Sequence, residues 1–268
     1  MCKKLFYGVA ILLLLLTLSC DKNTKPEGDY VLIRNLTNGN ATLTFSGAGS
    51  VTLEAHSEHK WYYADNSKAD NTDSLSFTYI GDYLMPNIRV VHLTKGEAAV
   101  TELAADCCRL RIANQSNAIV SATVSLNGEQ LNTLQVTANE SSYLKLGQFA
   151  AEDSVTVNYE GRYVFAGSEK LPLVLDATVT CSVMPDAGSL EVINSSSGTI
   201  YGVYFRPTGS TDMGSNMINM PLWLGDYRII KMLPQSGTVI VNIGSTYFQE
   251  FFNSVIQVNQ TLSIVVNN

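Results

Sequence analysis

Charge is what this sequence has least of: Asp, Glu, Lys and Arg make up 15% of its 268 residues, against about a quarter in an average soluble chain. The few Lys and Arg residues are scattered singly and the formal net charge is −7. A nucleic-acid partner is excluded, because phosphate binding needs a basic footprint on one face. Histidine is scarcer still, with three residues (His56, His59 and His92). No Gly-x-Ser-x-Gly turn occurs, no stretch after the first twenty residues has helical periodicity, and paired carboxylates share no motif. That removes the usual frames for nucleophilic and glycosidic hydrolysis. No Cys-x-x-Cys pair is present among the five cysteines, so a structural zinc is not expected, and nothing marks a cofactor site. The chain reads as no enzyme.

One long apolar run is present, at the start. Lys3 and Lys4 precede an uncharged stretch from Leu5 to Leu18, short of the roughly 20 residues a membrane-spanning helix needs. A basic start, an apolar middle and a small residue before the break describe a helical signal peptide. Its end, Leu16-Thr17-Leu18-Ser19-Cys20, resembles the lipobox of bacterial lipoproteins. What the resemblance implies is cleavage before Cys20, acylation of that residue by palmitate-type chains, and an anchor in the cell envelope, with the outer membrane of a Gram-negative bacterium as the expected address. Several acyl chains would hold where one binds marginally. Removing residues 1–19 takes away Lys3 and Lys4 and no acid, so the formal charge of −7 becomes −9. Residues 20–29 are polar, carry Pro26 and Gly28 and show no period. They read as a tether.

The rest repeats. Ser74-Leu75-Ser76-Phe77-Thr78-Tyr79-Ile80-Gly81-Asp82-Tyr83 returns at Ser154 to Tyr163 and, loosened, at Thr238 to Tyr247. Apolar side chains alternate in each copy, the period of a strand with one buried face. Each copy opens on a strand that ends in Asn (Asn35, Asn114, Asn194), and Asn before Ser, Thr or Gly suits a turn. About seven short strands per copy, at a spacing of about 80 residues, predict three tandem antiparallel β-sandwich domains of immunoglobulin-like architecture. Their expected limits are 30–105, 106–185 and 186–268, abutting end to end as a rod. The Asn-x-Ser/Thr triplets, such as Asn35-Leu36-Thr37 and Asn194-Ser195-Ser196, are read as chance in so Asn-rich a chain.

In the third copy, Asn194-Ser195-Ser196-Ser197, Ile200, Val203-Tyr204-Phe205-Arg206-Pro207, Gly214-Ser215-Asn216-Met217-Ile218 and Leu224-Gly225-Asp226-Tyr227 resemble a β-sandwich module of many bacterial lipoproteins. Met213 stands where that module usually has Trp. The resemblance covers the last third of the chain and implies a fold but no activity.

Candidate sites are few. Cys108, Leu110 and Ile112 share one face of the strand opening repeat two, and Ala177, Val179 and Cys181 one face of the strand closing it. Cys108 and Cys181 are therefore either a disulfide, which export permits, or two small buried hydrophobes. Glu54, His56 and His59 hold metal-ligand types but align with an ordinary polar turn of repeat two. Asp73-Ser74-Leu75 and Asp153-Ser154-Val155 match an Asp-Ser/Thr-aliphatic acceptor pattern, so Ser74 and Ser154 are candidates for O-glycosylation or simply turn residues. Trp61 and Tyr63 align with apolar positions and should pack inside. Trp223 aligns with the polar Glu54 and Thr137 and should point outward, near Tyr227 and beside extra residues between Arg206 and Asn219 that include Asp212 and Asn216. Those four define a candidate ligand or interface site, unless the loop covers the indole.

The expected function is a lipid-anchored, non-enzymatic envelope protein acting as spacer, adhesin or assembly component. The alternative is a surface glycan-binding lipoprotein serving polysaccharide uptake. Expected partners are the membrane and either a glycan or another envelope protein.

Overall fold

A computed structural model describes residues 30–62, 74–94, 97–150, 152–244 and 246–268. The signal peptide, Cys20, the tether, Tyr63 and Asp73 lie outside the described residues. Among the described residues every regular element is a strand, and no helix is long and apolar enough to cross a membrane.

Sandwich one contains β1 (Tyr30–Asn35), β2 (Ala41–Phe45), β3 (Gly49–Leu53), β4 (Glu58–Tyr62), β5 (Ser74–Gly81), β6 (Leu84–His92) and β7 (Ala99–Leu103). They form one sheet of order β4-β1-β7 and a second of order β3-β2-β5-β6. Sandwich two repeats this with β8 (Cys107–Asn114), β9 (Val120–Leu126), β10 (Glu129–Val136), β11 (Ser141–Gly147), β12 (Ser154–Gly161), β13 (Val164–Pro172) and β14 (Thr178–Val183), in sheets β11-β8-β14 and β10-β9-β12-β13. Sandwich three has β15 (Gly188–Asn194), β16 (Ile200–Pro207), β17 (Tyr227–Met232), β18 (Gln235–Ile243), β19 (Tyr247–Ile256) and β20 (Thr261–Val266), in sheets β17-β15-β20 and β16-β18-β19. Each sandwich has its own core, built from the alternate positions of facing sheets: Ile33, Leu43 and Phe77 in the first, Ile112, Val124 and Val157 in the second, Val192, Val203 and Val241 in the third. Neighbouring strands are antiparallel except for one pair in each sandwich: the first strand runs parallel to the last, β1 with β7, β8 with β14 and β15 with β20.

The asparagines that close β1, β8 and β15 do more than turn the chain. Each is buried. Asn35 Oδ1 accepts from the Thr37 N–H and hydroxyl (3.1 and 2.8 Å), while its Nδ2 donates to the Gly39 and Glu54 carbonyls (2.8 Å each). Asn114 does the same with Ser116, Ala118 and Val136, and Asn194 with Ser196, Gly198 and Leu222. The side-chain amide thereby ties the end of the first strand to the far hairpin and satisfies backbone groups that the crossing between sheets would strand. The triplets at Asn35, Asn114 and Asn194 therefore have a structural role, with the hydroxyls of Thr37, Ser116 and Ser196 buried in the knots. Close approach explains a glycine as well. A Cβ on Gly81 would lie 2.6 Å from the Asn40 carbonyl, and one on Gly161 would lie 3.0 Å from that of Ile119, which is why both copies of the central strand end in glycine.

Edge strands are guarded from inside. Arg89 on β6, Glu169 on β13 and Gln249 on β19 sit opposite the core residues Phe77, Val157 and Val241, so each outer strand turns a polar side chain inward, a device against edge-to-edge pairing. Sandwich three departs from the others in lacking the strand equivalent to β3 and β10. Only Leu222 keeps that place, bridging to Ile200.

The chain divides into two compact units, Met1–Asp106 and Cys107–Asn268. The second unit contains sandwiches two and three, so the expected boundary at 185/186 is a joint within one unit. There the Asp186 and Ala187 N–H groups donate to the Tyr163 carbonyl (3.1 and 3.0 Å), and Asp186 Oδ1 accepts from Phe165 N–H (2.8 Å). Lys231 Nζ donates to the Val164 carbonyl at 2.7 Å and lies 5.5 Å from the Phe165 ring centre. The Tyr163 hydroxyl meets Thr261 Oγ1 at 2.7 Å, and Thr261 in turn meets Ser189 at 2.7 Å. The knot loop of sandwich two reaches Asn259 through Asn117.

Candidate functional site

The end of sandwich three that carries its knot is built from three turns. Gly225 N–H donates to the Asn194 carbonyl and Asn194 N–H to that of Asp226, joining the 223–226 turn to the knot. Within that turn Asp226 Oδ2 accepts from Trp223 N–H at 2.9 Å, and Gly225 supplies φ +86°. The β18–β19 turn joins through Gly244 N–H, which donates to the Thr199 carbonyl. Together the turns display Trp223 (61% exposed), Leu224 (67%), Tyr227 (62%) and Tyr247 (61%), with Phe248 and Tyr201 alongside. Large apolar side chains left exposed by well-bonded turns make this end of the sandwich the candidate binding surface.

Trp223 is therefore outward, as the repeat register predicts, and residues 208–219 do not cover it. Tyr227 stands four residues on, at the start of β17. The two acceptors expected beside the indole are elsewhere. Asn216 lies along the free edge of β16, where its Oδ1 accepts from the Val203 and Ile218 N–H groups (3.0 and 3.2 Å) and its Nδ2 donates to the Tyr201 carbonyl (3.1 Å). Its amide stands in for the missing strand, and its oxygen, already accepting two N–H groups, is not offered to a ligand beside the indole. Asp212 belongs to the opposite end, in a cleft of about 350 Å³ lined by Phe205, Pro207, Ser210 and Met232. Trp223 follows Leu222, which bridges to Ile200, so roughly 23 Å of β16 separates the two at about 3.3 Å per residue. Asp212 Oδ1 is engaged by Gly214 N–H at 3.0 Å. The four-residue site does not assemble. What sequence reasoning missed is Leu224, Tyr247 and Phe248, because the turn after β18 is shaped differently: Tyr83 and Tyr163 occupy the turn itself, whereas Tyr247 pairs with Ile243 on β19.

Cys107, Cys108 and Cys181 are buried thiols. The bridge between Cys108 and Cys181 does not form, and the parallel register is the reason. Cys181 stands opposite Ile112, four residues from Cys108 along β8, about 13 Å at strand rise, whereas a disulfide needs Cα atoms within about 7 Å. Burial, followed by the Glu169 carboxylate beside it, pushes the Cys181 thiol up to about 12, and burial raises Cys108 as well. Both are protonated and inert at neutral pH.

His56 occupies a turn at φ +55°, its Nε2 3.0 Å from Asn38 Oδ1, while His59 on β4 packs tilted against Phe45 at 6.3 Å between ring centres. Among the described residues no cluster of three His, Cys, Asp or Glu side chains is placed to hold a metal. Trp61 is half-buried against the core of sandwich one, stacked on Phe45 at 6.4 Å. Ser74 and Ser154 are half-buried at the starts of β5 and β12. The Asp153 carboxylate is held by Ala150 N–H and Asn127 Nδ2, the behaviour of a turn residue.

These features define an all-β protein of tandem β-sandwiches. No protein-family model matches the sequence, and no curated protein is similar to it. Among solved structures, the chain matches the Bacillus anthracis TIE protein at 13% identity and a TM-score of 0.24, over 90% of this chain and 50% of that one. It matches GBS52, the minor pilin of Streptococcus agalactiae, at 11% identity and TM-score 0.24, over 60% and 94% of the two chains. Two B repeat units of the collagen binding protein of Staphylococcus aureus match at 12% identity and TM-score 0.19, over 83% and 82%. The chain spans half the length of the TIE protein chain.

Proposed function

We propose that this chain is a lipid-anchored, non-enzymatic cell-envelope protein, an assembly or adhesive component that presents a protein-binding surface on its third sandwich. The observation that carries the reading is the exposed aromatic end around Trp223, Leu224 and Tyr227. Protein interfaces concentrate aromatic anchors in this way. A sugar platform would want amide or carboxylate groups fanned around the ring, and Asn216 and Asp212 are bonded elsewhere. Anchoring through Cys20 rests on the sequence, where Leu16 to Cys20 resembles a lipobox. Globomycin should leave the precursor uncleaved in expressing cells, and Cys20→Ala should release the protein from the membrane fraction. Normal processing in both cases would remove the anchor from the proposal. An isolated chain whose Trp223 fluorescence responds to glycans in a broad panel would restore the glycan-binding alternative.

A further inference from the structure

We propose that the outer face of sandwich two carries a binding site for one ring of a neutral polysaccharide, in the cleft where β9, β12 and β13 lie side by side. This goes beyond the function proposed above and does not depend on the aromatic end of sandwich three. The cleft has a volume of about 460 Å³, and its lining includes Ser121 and Thr123 of β9, Asn158 and Glu160 of β12, and Ser168 of β13. Strand register sets these side chains out as a grid. Ser121 stands opposite Glu160, and Thr123 opposite Asn158, which has Ser168 on its other side. At strand spacings the grid measures roughly 7 by 10 Å, the footprint of one six-membered ring with its hydroxyls.

The other two sandwiches show what this place accepts. In sandwich one the same register positions hold Thr42, Thr44, Thr78, Ile80 and Ile88, lining a smaller cleft of about 320 Å³. Ile80 and Ile88 present methyl groups there where sandwich two has Glu160 and Ser168. In sandwich three the positions of Ser121 and Thr123 are taken by Gly202 and Tyr204, opposite Asn242 and Ile240. The Tyr204 ring folds back over Gly202, 2.7 Å from where a Cβ would stand, and Ile240 beside it is 2% exposed. The protein thus seats a six-membered ring of its own at this place in one copy and leaves the place open in sandwich two. The open cleft has the chemistry of a polyol site. Asn158, Glu160 and Ser168 are exposed, and their side chains bond to no described residue. Ser121 Oγ accepts from Gln135 Nε2 at 3.1 Å and keeps its proton to donate. A carboxylate that accepts from adjacent hydroxyls, with an amide and hydroxyls that both donate and accept, matches the edge of a sugar ring. No Lys or Arg is among the lining residues, so a phosphate or uronate would meet Glu160 without a compensating cation. A cleft this open to water holds its ligand weakly, with a Kd of about 0.1 to 10 mM.

The test titrates the chain from Asp21 onward, which retains every described residue, with hexaoses of β-1,4-glucose, β-1,3-glucose, β-1,4-xylose and β-1,4-mannose. Backbone amides are followed by NMR, and hexagalacturonate is the acidic control. At least one neutral hexaose should give saturable shifts centred on 121–123, 158–160 and 166–168, and the acidic one should give none there. Two variants borrow side chains that the other copies already carry at the same positions. Glu160→Ile with Ser168→Ile reproduces the lining of sandwich one, and Ser121→Gly with Thr123→Tyr reproduces the covered place of sandwich three. Each should weaken binding at least tenfold while the spectrum stays dispersed, and misfolding of one leaves the other to decide. No shift from any neutral hexaose at about 20 mM, above the expected Kd, overturns the proposal. Shifts that lie elsewhere, that survive both variants, or that hexagalacturonate matches overturn it too. Trp223 is untouched throughout, so failure here leaves the protein-binding reading of sandwich three standing.

Discussion

Replacing Asn35 by alanine tests whether the buried knot is a fold determinant, because the consequences can be followed atom by atom. The Glu54 carbonyl keeps its bonds from Ser57, and the Gly39 carbonyl keeps the Thr37 hydroxyl. The Thr37 N–H, in a buried residue, loses its acceptor. An orphaned buried donor costs about 1–3 kcal/mol, and the other lost bonds add roughly 0.5–1.5 kcal/mol each. The total is on the order of 3–5 kcal/mol, a large part of the 5–15 kcal/mol that stabilises an ordinary domain. Sandwich one belongs to its own compact unit, and Trp61 is its only tryptophan, so urea titration followed by fluorescence reports on it against the exposed Trp223. With a slope of roughly 1 kcal/mol per molar for so small a unit, the midpoint should fall by about 3 M or the unit should be unfolded without urea. Leu36→Ala, next door and 43% exposed, should shift it far less. Asn35→Asp adds a second arm: its carboxylate would face the Gly39 and Glu54 carbonyls, and burial would raise its pKa above the unfolded value of about 3.9. The penalty is then complete above the folded pKa and fades as pH falls toward about 4, so this variant should gain stability relative to wild type on acidification. An Asn35→Ala shift no larger than that of Leu36→Ala, or an Asp variant indifferent to pH, would refute the knot.

The thiols and the β16 edge give three more outcomes. The buried thiols should resist alkylation at pH 8 in the native protein and react fully in denaturant, with no disulfide-linked peptide in a non-reducing digest. The thiol of Cys181 is raised from 9.0 to about 12, so its contribution is complete below pH 9 and is lost as pH climbs toward 12, by about 1.4 kcal/mol per pH unit. Glu169→Gln removes a neighbour that raises it, so the loss should end at a lower pH and be smaller in total, readable in alkaline denaturation curves. Asn216→Ala should expose the Val203 N–H and the Tyr201 carbonyl on the edge of β16, costing about 1–3 kcal/mol and speeding aggregation through strand pairing. Hydrogen exchange confined to β16 is the check, and unchanged protection there would rule the capping role out.

The repeat made most of the architecture readable. Alternation at Leu75, Phe77 and Tyr79 and again at Val155 and Val157 places every one of these side chains inward, and all but the last two residues of each copy of the decapeptide (Asp82 and Tyr83, Arg162 and Tyr163) lie in strands. Comparing copies also sorted the two tryptophans, because a position that is Leu144 or Ile230 elsewhere must be inside and one that is Thr137 need not be. Parallel pairing of first and last strands was not readable, since alternation fixes which face a residue takes and carries no strand direction. The disulfide expectation failed on that point alone: Cys108 and Cys181 do face the same core, but the direction of β14 sets them four residues apart. The knot asparagines were visible as a pattern and misread, because Asn before Ser is equally the signature of an exposed turn.

The candidate site shows a different limit. Trp223, Asp212 and Asn216 are close in sequence, and a loop invites the assumption that its residues converge. Here the loop replaces a strand, and a replacement for a strand must run the length of the edge it covers. Leu222 sits at Ile200, Asn216 at Tyr201 and Val203, and Asp212 beyond Phe205. Polar residues along such a path are used by the backbone of β16, which would otherwise present unpaired N–H and C=O groups. The exposed large apolar side chains are left to the end of the sandwich, where three turns meet. That division follows from losing one strand: sandwiches one and two keep β3 and β10, and sandwich three trades theirs for a cap along its edge and an apolar surface at its tip.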